Sequence, residues 1–308
     1  MIESYELFSM PGLYRVQSGF DPQLARHNIV PPGASEEHFF PNHAHDRRVP
    51  AIGESLIERY MGAEPGDGAI GRLDNPDLPP IFTMARMDRI KNIPGLLDSY
   101  GRSETLRQKA NLLIVSSVND PAESKDHEEI AEVQRTLELI EAHNLWGSVR
   151  WVAARLDKVE TGEIYRVVAD RRGVFAQPAL METFGLTVVE AMSCGLPVVV
   201  TCYGGPAEIV VSGESGLVQD PNDHSRFAAA LETVIGDDVW RKYAENGIER
   251  VRDAFAWPSH ARKFLRIANV HAYWNHVDVM NRQALDRYIH TLYHTVYRPR
   301  AQALVEAR

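Results

Sequence analysis

Along the chain, apolar and polar positions alternate between two kinds of pattern. The runs Pro80 to Ala85, Asn111 to Ser117, Val149 to Ala154, Val174 to Pro178 and Val198 to Thr201 are predominantly apolar, and the last is β-branched throughout. Such runs predict short strands buried on both faces of a sheet. Between them, Ala51 to Met61, Ile93 to Tyr100, Ser124 to His143 and Thr161 to Ala169 carry helical spacing, and another helix opens near Gly185-Leu186-Thr187. That helix stops at Gly195 before Pro197, the order of residues that ends a helix. Alternating strands and helices predict an α/β fold, a Rossmann-like, doubly wound, mostly parallel sheet. Gly62 to Pro80, rich in Gly, Asp and Pro, predicts a loop. Residues 222 to 256 read as paired helices and 257 to 308 as a helical tail. The tail's aromatic residues, among them Trp257, Phe264, Tyr273, Trp274, Tyr288, Tyr293 and Tyr297, exceed what an isolated terminal helix needs, so it is expected to cover another domain. Residues 1 to 27 are apolar and aromatic without a sustained period, as in a segment packing against something outside itself; Asn28 to Val30 reads as a short strand before a turn.

Candidate chemistry concentrates in residues 173 to 221, where strand, loop and helix N-terminus follow one another twice. In open α/β sheets the crevice beyond such strand ends is where ligands, phosphates above all, bind. Glu182 lies in the first of these loops. Glu190 lies in the following helix, whose neighbours Val188, Val189, Ala191 and Met192 are apolar on several sides. An ionised carboxylate in a buried helix needs donors or a partner charge, and sugar or ribose hydroxyls are suitable donors. The plainer alternative is that Glu190 serves the interior of the fold and Glu182 is solvated. Arg86 follows a strand and Lys91 enters a helix, positions from which cations reach a phosphate; a salt-bridged surface turn is the competing reading.

Composition adds limits. With 44% hydrophobic and 24% charged residues the chain is an ordinary globular sequence, and its net charge of -9 argues against a general nucleic-acid binder. Two cysteines, Cys194 and Cys202, suggest no disulfide framework, and a reducing cytoplasm fits. Neither a membrane span nor a signal peptide is evident. His43 and His45 are two apart and His290 and His294 four apart, but without further ligands at useful spacing or an HExxH pattern both pairs read as solvated or packed rather than metal-binding.

Longer segments carry a resemblance. MARMDRIKN (84 to 92), RWVAARLDKVETGEIYR (150 to 166), QPALMETFGLTVVEAMSCGLPVVVTCYGGPAEIV (177 to 210) and YRPRAQAL (297 to 304) resemble the sucrose synthase family, as do ESYELFSMPGLYRV and NIVPPGA near the start. The resemblance implies the carboxyl-terminal domain of a GT-B fold and a reversible, retaining transfer of glucose between UDP-glucose or ADP-glucose and fructose, giving sucrose. It implies diphosphate-holding roles for Arg86 and Lys91, glucose contact for Glu182, a wall of Phe184, Gly185, Leu186 and Thr187 against glucose and phosphate, and ribose contact for Glu190. On this basis Arg86, Lys91 and Glu182 are the catalytic candidates. No cofactor or metal is expected, and no D-x-D triplet occurs. Arg155 and Thr161 stand where the plant member has Gln and Asn beside the base, so nucleotide choice is expected to be relaxed or shifted toward ADP. The resemblance divides the chain into a remnant of the amino-terminal GT-B domain (1 to 27), a nucleotide-sugar-binding domain (28 to 256) and a tail (257 to 308) that packs on the amino-terminal domain, itself a necessary partner in the same protein or another chain. Donor binding without appreciable turnover is the expectation for this chain alone; a homo-oligomer is compatible. Competing readings are another GT-B transferase, acting on sucrose phosphate or glycogen, and a non-catalytic nucleotide-sugar-binding module.

Overall fold

A computed structural model describes residues 36–256, 259, 261–262, 264–270 and 282–306. The expectations for residues 1 to 34 and for Trp257, Tyr273 and Trp274 lie outside the described residues. Backbone contacts separate two units, one holding the described residues up to Ala256 and the other those from Ser259 onward.

The first unit is built on a seven-stranded sheet of order β1-β4-β3-β2-β5-β6-β7. Its strands are β1 (Ala69–Ile70), β2 (Pro80–Met84), β3 (Asn111–Ser116), β4 (Val149–Ala153), β5 (Val174–Gln177), β6 (Val198–Thr201) and β7 (Leu217–Gln219). All neighbours are parallel except β1, which runs antiparallel to β4 at one edge. The five strands predicted within the described residues are present; β1 corrects the expectation that 62 to 80 is loop throughout.

Alternate residues of each strand face opposite sides of a sheet. Phe82, Leu113, Val115, Phe175, Val198 and Val200 join one core, while Ile81, Leu112, Ile114, Val174, Ala176 and Val199 join the other. The helices α1 (Pro50–Met61), α5 (Lys158–Asp170), α6 (Leu186–Ser193) and α9 (Asp237–Ala254) contribute to the first core, and α2 (Ile93–Arg102), α3 (Glu104–Lys109), α4 (His127–Ala142) and α8 (His224–Ile235) to the second. A short helix, α7 (Pro206–Ile209), follows β6, with its proline in the first turn. Aspartate caps start α4 and α5, and Asp157 with Glu160 forms a reciprocal capping box on α5.

One charged cluster is buried beneath α1. Glu163 and Arg166 on α5 pair at 2.7 Å with side chains 1% and 2% exposed, and Arg48 reaches the same glutamate at 2.6 Å. Arg166 also donates to the carbonyl of His38 at 2.7 Å and lies 3.8 Å over the ring of Phe40. Residues 38 to 48 are thereby fixed to the outer face of α5.

In the second unit, the helices Arg282–Leu292 and Arg298–Glu306 are joined by a widened turn at Tyr293–Tyr297. Tyr288, Ile289, Tyr293 and Tyr297 are exposed, as are His290 and His294. His43 and His45 are exposed as well.

Candidate functional site

The order of the strands locates the crevice. From β2 the chain proceeds outward to β3 and β4, then returns to β5 on the other side of β2. The loops leaving the carboxyl ends of β2 and β5 therefore diverge at a topological switch point, the place where open α/β sheets bind ligands.

Those two loops are tied together. The amide of Leu180 donates to the carbonyl of Ile90 at 2.8 Å, and Asn92, held in the left-handed region at φ 55°, donates from its side chain to the carbonyl of Pro178 at 3.0 Å. Across this junction Lys91 Nζ meets Glu182 Oε2 at 2.6 Å, with side chains 25% and 17% exposed. Gln177, at the end of β5, donates to the same carboxylate oxygen at 3.3 Å, while its own Oε1 is buried with no partner among the described residues. Residues 91 positions apart in sequence thus form one half-buried ion pair with an adjacent unfilled acceptor.

The loop after β6 locks this arrangement from the other side. The amide of Glu182 donates to the carbonyl of Tyr203 at 3.1 Å, and the amide of Gly205 donates to the carbonyl of Glu182 at 2.9 Å. Gly204, at φ 98°, permits the approach: a β-carbon there would lie 2.0 Å from the carbonyl oxygen of Glu182. Gly185, at φ 96°, then turns the chain into α6. Phe184 packs edge-on to Phe255, ring centroids 6.4 Å apart. The Leu186 and Thr187 amides belong to the first turn, where a helix supplies no acceptor of its own and its dipole favours negative charge.

The other predicted residues are set apart from this pair. Arg86 is exposed and pairs with Asp88 at 2.5 Å, the surface-turn geometry. With Arg155 it lines a cleft of about 650 Å³ over the carboxyl ends of β2, β3 and β4. Thr161, in the first turns of α5, donates to the carbonyl of Asp157 at 2.5 Å. Glu190 is 7% exposed, on the inward side of α6, and receives a long hydrogen bond of 3.4 Å from the Tyr165 hydroxyl. Burial pushes its carboxyl up to about 8, although Tyr165 and the charge of Lys158 oppose the rise. Tyr165 is itself held well above the ordinary phenol range by burial. The predicted set therefore divides into a formed pair, Lys91 and Glu182 beside α6, and separate positions for Arg86, Arg155 and Glu190. Sequence reasoning missed Gln177, whose signal was a lone amide closing an apolar strand. Among the described residues no group of three or more His, Cys, Asp or Glu side chains could hold a metal.

A doubly wound sheet with a cation, a carboxylate and a helix N-terminus gathered at its switch point is the half-site architecture of a GT-B glycosyltransferase domain. Residues 72–253 match the family model described as glycosyl transferases group 1, and the chain belongs to that family. Residues 1–60 match a second model, described as the sucrose synthase first GT-B domain. Among curated relatives, the chain is 41% identical over 307 residues to sucrose synthase 2 of Arabidopsis thaliana and 44% identical over 301 residues to sucrose synthase of Denitrovibrio acetiphilus. These alignments take in 98% and 96% of this chain but 38% of each relative, so the chain spans about two fifths of their length. Among solved structures, sucrose-phosphate synthase of Thermosynechococcus elongatus aligns with a TM-score of 0.52 at 26% identity, covering 73% of this chain and 57% of that one. Anabaena HepE, solved with UDP and glucose, shares the fold at 18% identity and a TM-score of 0.55, covering 72% of this chain and 52% of its own.

Proposed function

We infer that this chain supplies the nucleotide-sugar side of a sucrose-synthase-type transferase, exchanging glucose between a nucleoside diphosphate and fructose with retention of anomeric configuration. The observation that carries the reading is the Lys91–Glu182 pair at 2.6 Å, held between two loops at the switch point and next to the first turn of α6. Cleaving the bond between the anomeric carbon and the diphosphate oxygen leaves positive charge on the sugar and negative charge on the departing diphosphate. Lys91, Arg86 and the α6 amides would take up the negative charge, an electrostatic contribution that is large when the groups are fixed beforehand. Fructose oxygen then bonds to the same face of the anomeric carbon and its proton passes to the departing phosphate.

In this reading Glu182 accepts hydrogen bonds from glucose hydroxyls, with Gln177 Oε1 as a neighbouring acceptor, and Lys91 is released toward the diphosphate. Phe184, Gly185, Leu186 and Thr187 form the wall of the glucose and phosphate site, Glu190 receives the ribose, and Arg155 with Thr161 flanks the base. The relatives named sucrose synthase, 41% and 44% identical, support the choice of substrates.

Calorimetric titration of the parent and of Glu182→Ala with UDP, ADP and their glucose conjugates tests the assignment. Loss of the carboxylate should weaken the conjugates about tenfold or more, the cost of unpaired sugar donors, while free nucleotides change by less than about threefold because Lys91 keeps its charge. Equal weakening of both ligand types would overturn the role of Glu182. In the same titrations UDP should not outbind ADP by as much as about tenfold; a larger preference would remove Arg155 and Thr161 as determinants of relaxed base choice.

A further inference from the structure

The amino-terminal edge of the sheet, opposite the crevice, holds a second polar cavity of about 440 Å³. It lies where β3 begins at Asn111, against α3, the turn that leads into β4, and the segment before β2. The five steps of β3 from Asn111 to Ser116 separate this cavity from the cleft that Arg86 and Arg155 line by about 17 Å at the usual strand rise.

Its charge balance is specific. Asp74 is neutralised by Arg72, whose guanidinium meets Oδ1 at 2.5 Å and 3.1 Å. Arg107 has no such partner: no ion pair or hydrogen bond joins its side chain to the described residues, and its Nε is buried and unsatisfied. A buried guanidinium N–H left without an acceptor is costly, and an anionic oxygen is the acceptor that best offsets that cost. The cavity lining thus holds one carboxylate, Asp74, already paired with Arg72 outside the lining, and one guanidinium, Arg107, without a carboxylate partner among the described residues. Around Arg107 stand neutral hydrogen-bonding groups, the side chains of Asn111, Asn144 and Ser148. Asn111 gives its amide N–H to the carbonyl of Asn75 at 2.8 Å, which leaves its side-chain oxygen as an acceptor. Asn144 sits in the left-handed region at φ 53°. One unpaired cation beside a ring of amides and a hydroxyl suits a ligand with one anionic end and several hydroxyls, and the volume is in the range of small-molecule sites.

We propose that this cavity is a binding site for a phosphorylated polyol of hexose size, its phosphate on Arg107 and its hydroxyls on Asn111, Asn144 and Ser148, separate from the crevice at the other end of the strands. The site is independent of the donor assignment. Calorimetry and thermal melts of the 308-residue chain with sorbitol 6-phosphate, sorbitol and inorganic phosphate test it. Sorbitol 6-phosphate should bind and raise the melting temperature, and each half-ligand should bind at least about tenfold more weakly. Arg107→Gln should weaken the phosphorylated probe by about tenfold or more, and Asn144→Gly, which keeps the left-handed backbone, should weaken it to a lesser degree. Lys91→Gln should leave it unchanged. Binding that survives Arg107→Gln in a folded variant, that is lost only in Lys91→Gln, or that is absent from the parent overturns the proposal. If Arg107→Gln unfolds, undiminished binding to Asn144→Gly does so in its place.

Discussion

Glu190 retains a proton at pH values where a glutamate in water has given it up. Its folded carboxyl stands at about 8 against an ordinary 4.5, because burial on the inward side of α6 penalises the charge more than Tyr165 and Lys158 relieve it. Between those two values the folded state binds a proton that the unfolded chain does not, so stability falls as pH rises through this window. Asp98 and Asp220, both held below the usual carboxylate range, titrate below this window, while Glu132, raised by burial, acts with Glu190, so the contribution of Glu190 is read by difference. Urea unfolding of the parent and of Glu190→Gln at pH 5 and pH 8 should show the variant gaining on the parent by a few kcal/mol, on the order of 1.4 kcal/mol for each pH unit crossed. An equal pH response would mean that Glu190 is ionised and solvated. Under the proposed ribose role, a carboxyl protonated in the resting chain can donate one hydrogen bond as well as accept one, a different arrangement from the ionised acceptor expected from sequence.

At the scale of elements, the clamp beneath α1 is the feature with the largest expected energetic effect. Removing one partner of a buried ion pair leaves the other charged and dry, at a cost of about 3–5 kcal/mol, whereas replacing both by apolar groups is often neutral. Glu163→Ala should therefore destabilise the fold by about that amount in urea titrations, and Glu163→Leu combined with Arg166→Met by clearly less. Comparable losses in the single and the double variant would indicate that packing around α5, not charge, holds residues 38 to 48. This clamp was not legible in the sequence, because Glu163 and Arg166 stand three apart on a helix and such pairs usually face solvent. The parallel strands β2 to β6 were legible, since burial on both faces leaves an apolar run that needs no context. β1 and α3 were not: two residues between glycines, or six in a short polar helix, carry too little period to register. β7, three half-buried residues at an edge, was likewise not predicted, for the same reason. Individual site residues could be picked out by their place at strand ends, but the Lys91–Glu182 contact required the strand order, which local pattern does not encode.

For the whole molecule, the proposed function makes the described unit one side of a cleft. A GT-B transferase closes two such domains on its donor, and the chain spans 38% of the length of the sucrose synthases it matches. On the proposed reading, Lys91, Glu182, Gln177 and the α6 turn hold a nucleotide sugar by the diphosphate and one face of the glucose. Closure by a facing domain is what excludes water and brings an acceptor oxygen to the anomeric carbon. If the chain is such a half-site, it is expected to give affinity without rate: uniform binding of the donor does not lower the barrier unless the groups that meet the transition state are complete. Residues 1–308 alone should accordingly bind the glucose conjugates of UDP or ADP yet release no detectable sucrose from them in the presence of fructose. Adding the purified remainder of the Denitrovibrio acetiphilus relative, the part of that protein outside its 301-residue alignment, should restore measurable transfer. Nucleotide release coupled to sucrose formation measures both outcomes. Robust turnover by the 308-residue chain without any partner would show that the half-site reading is mistaken and that the facing groups come from within this chain or from a second copy of it.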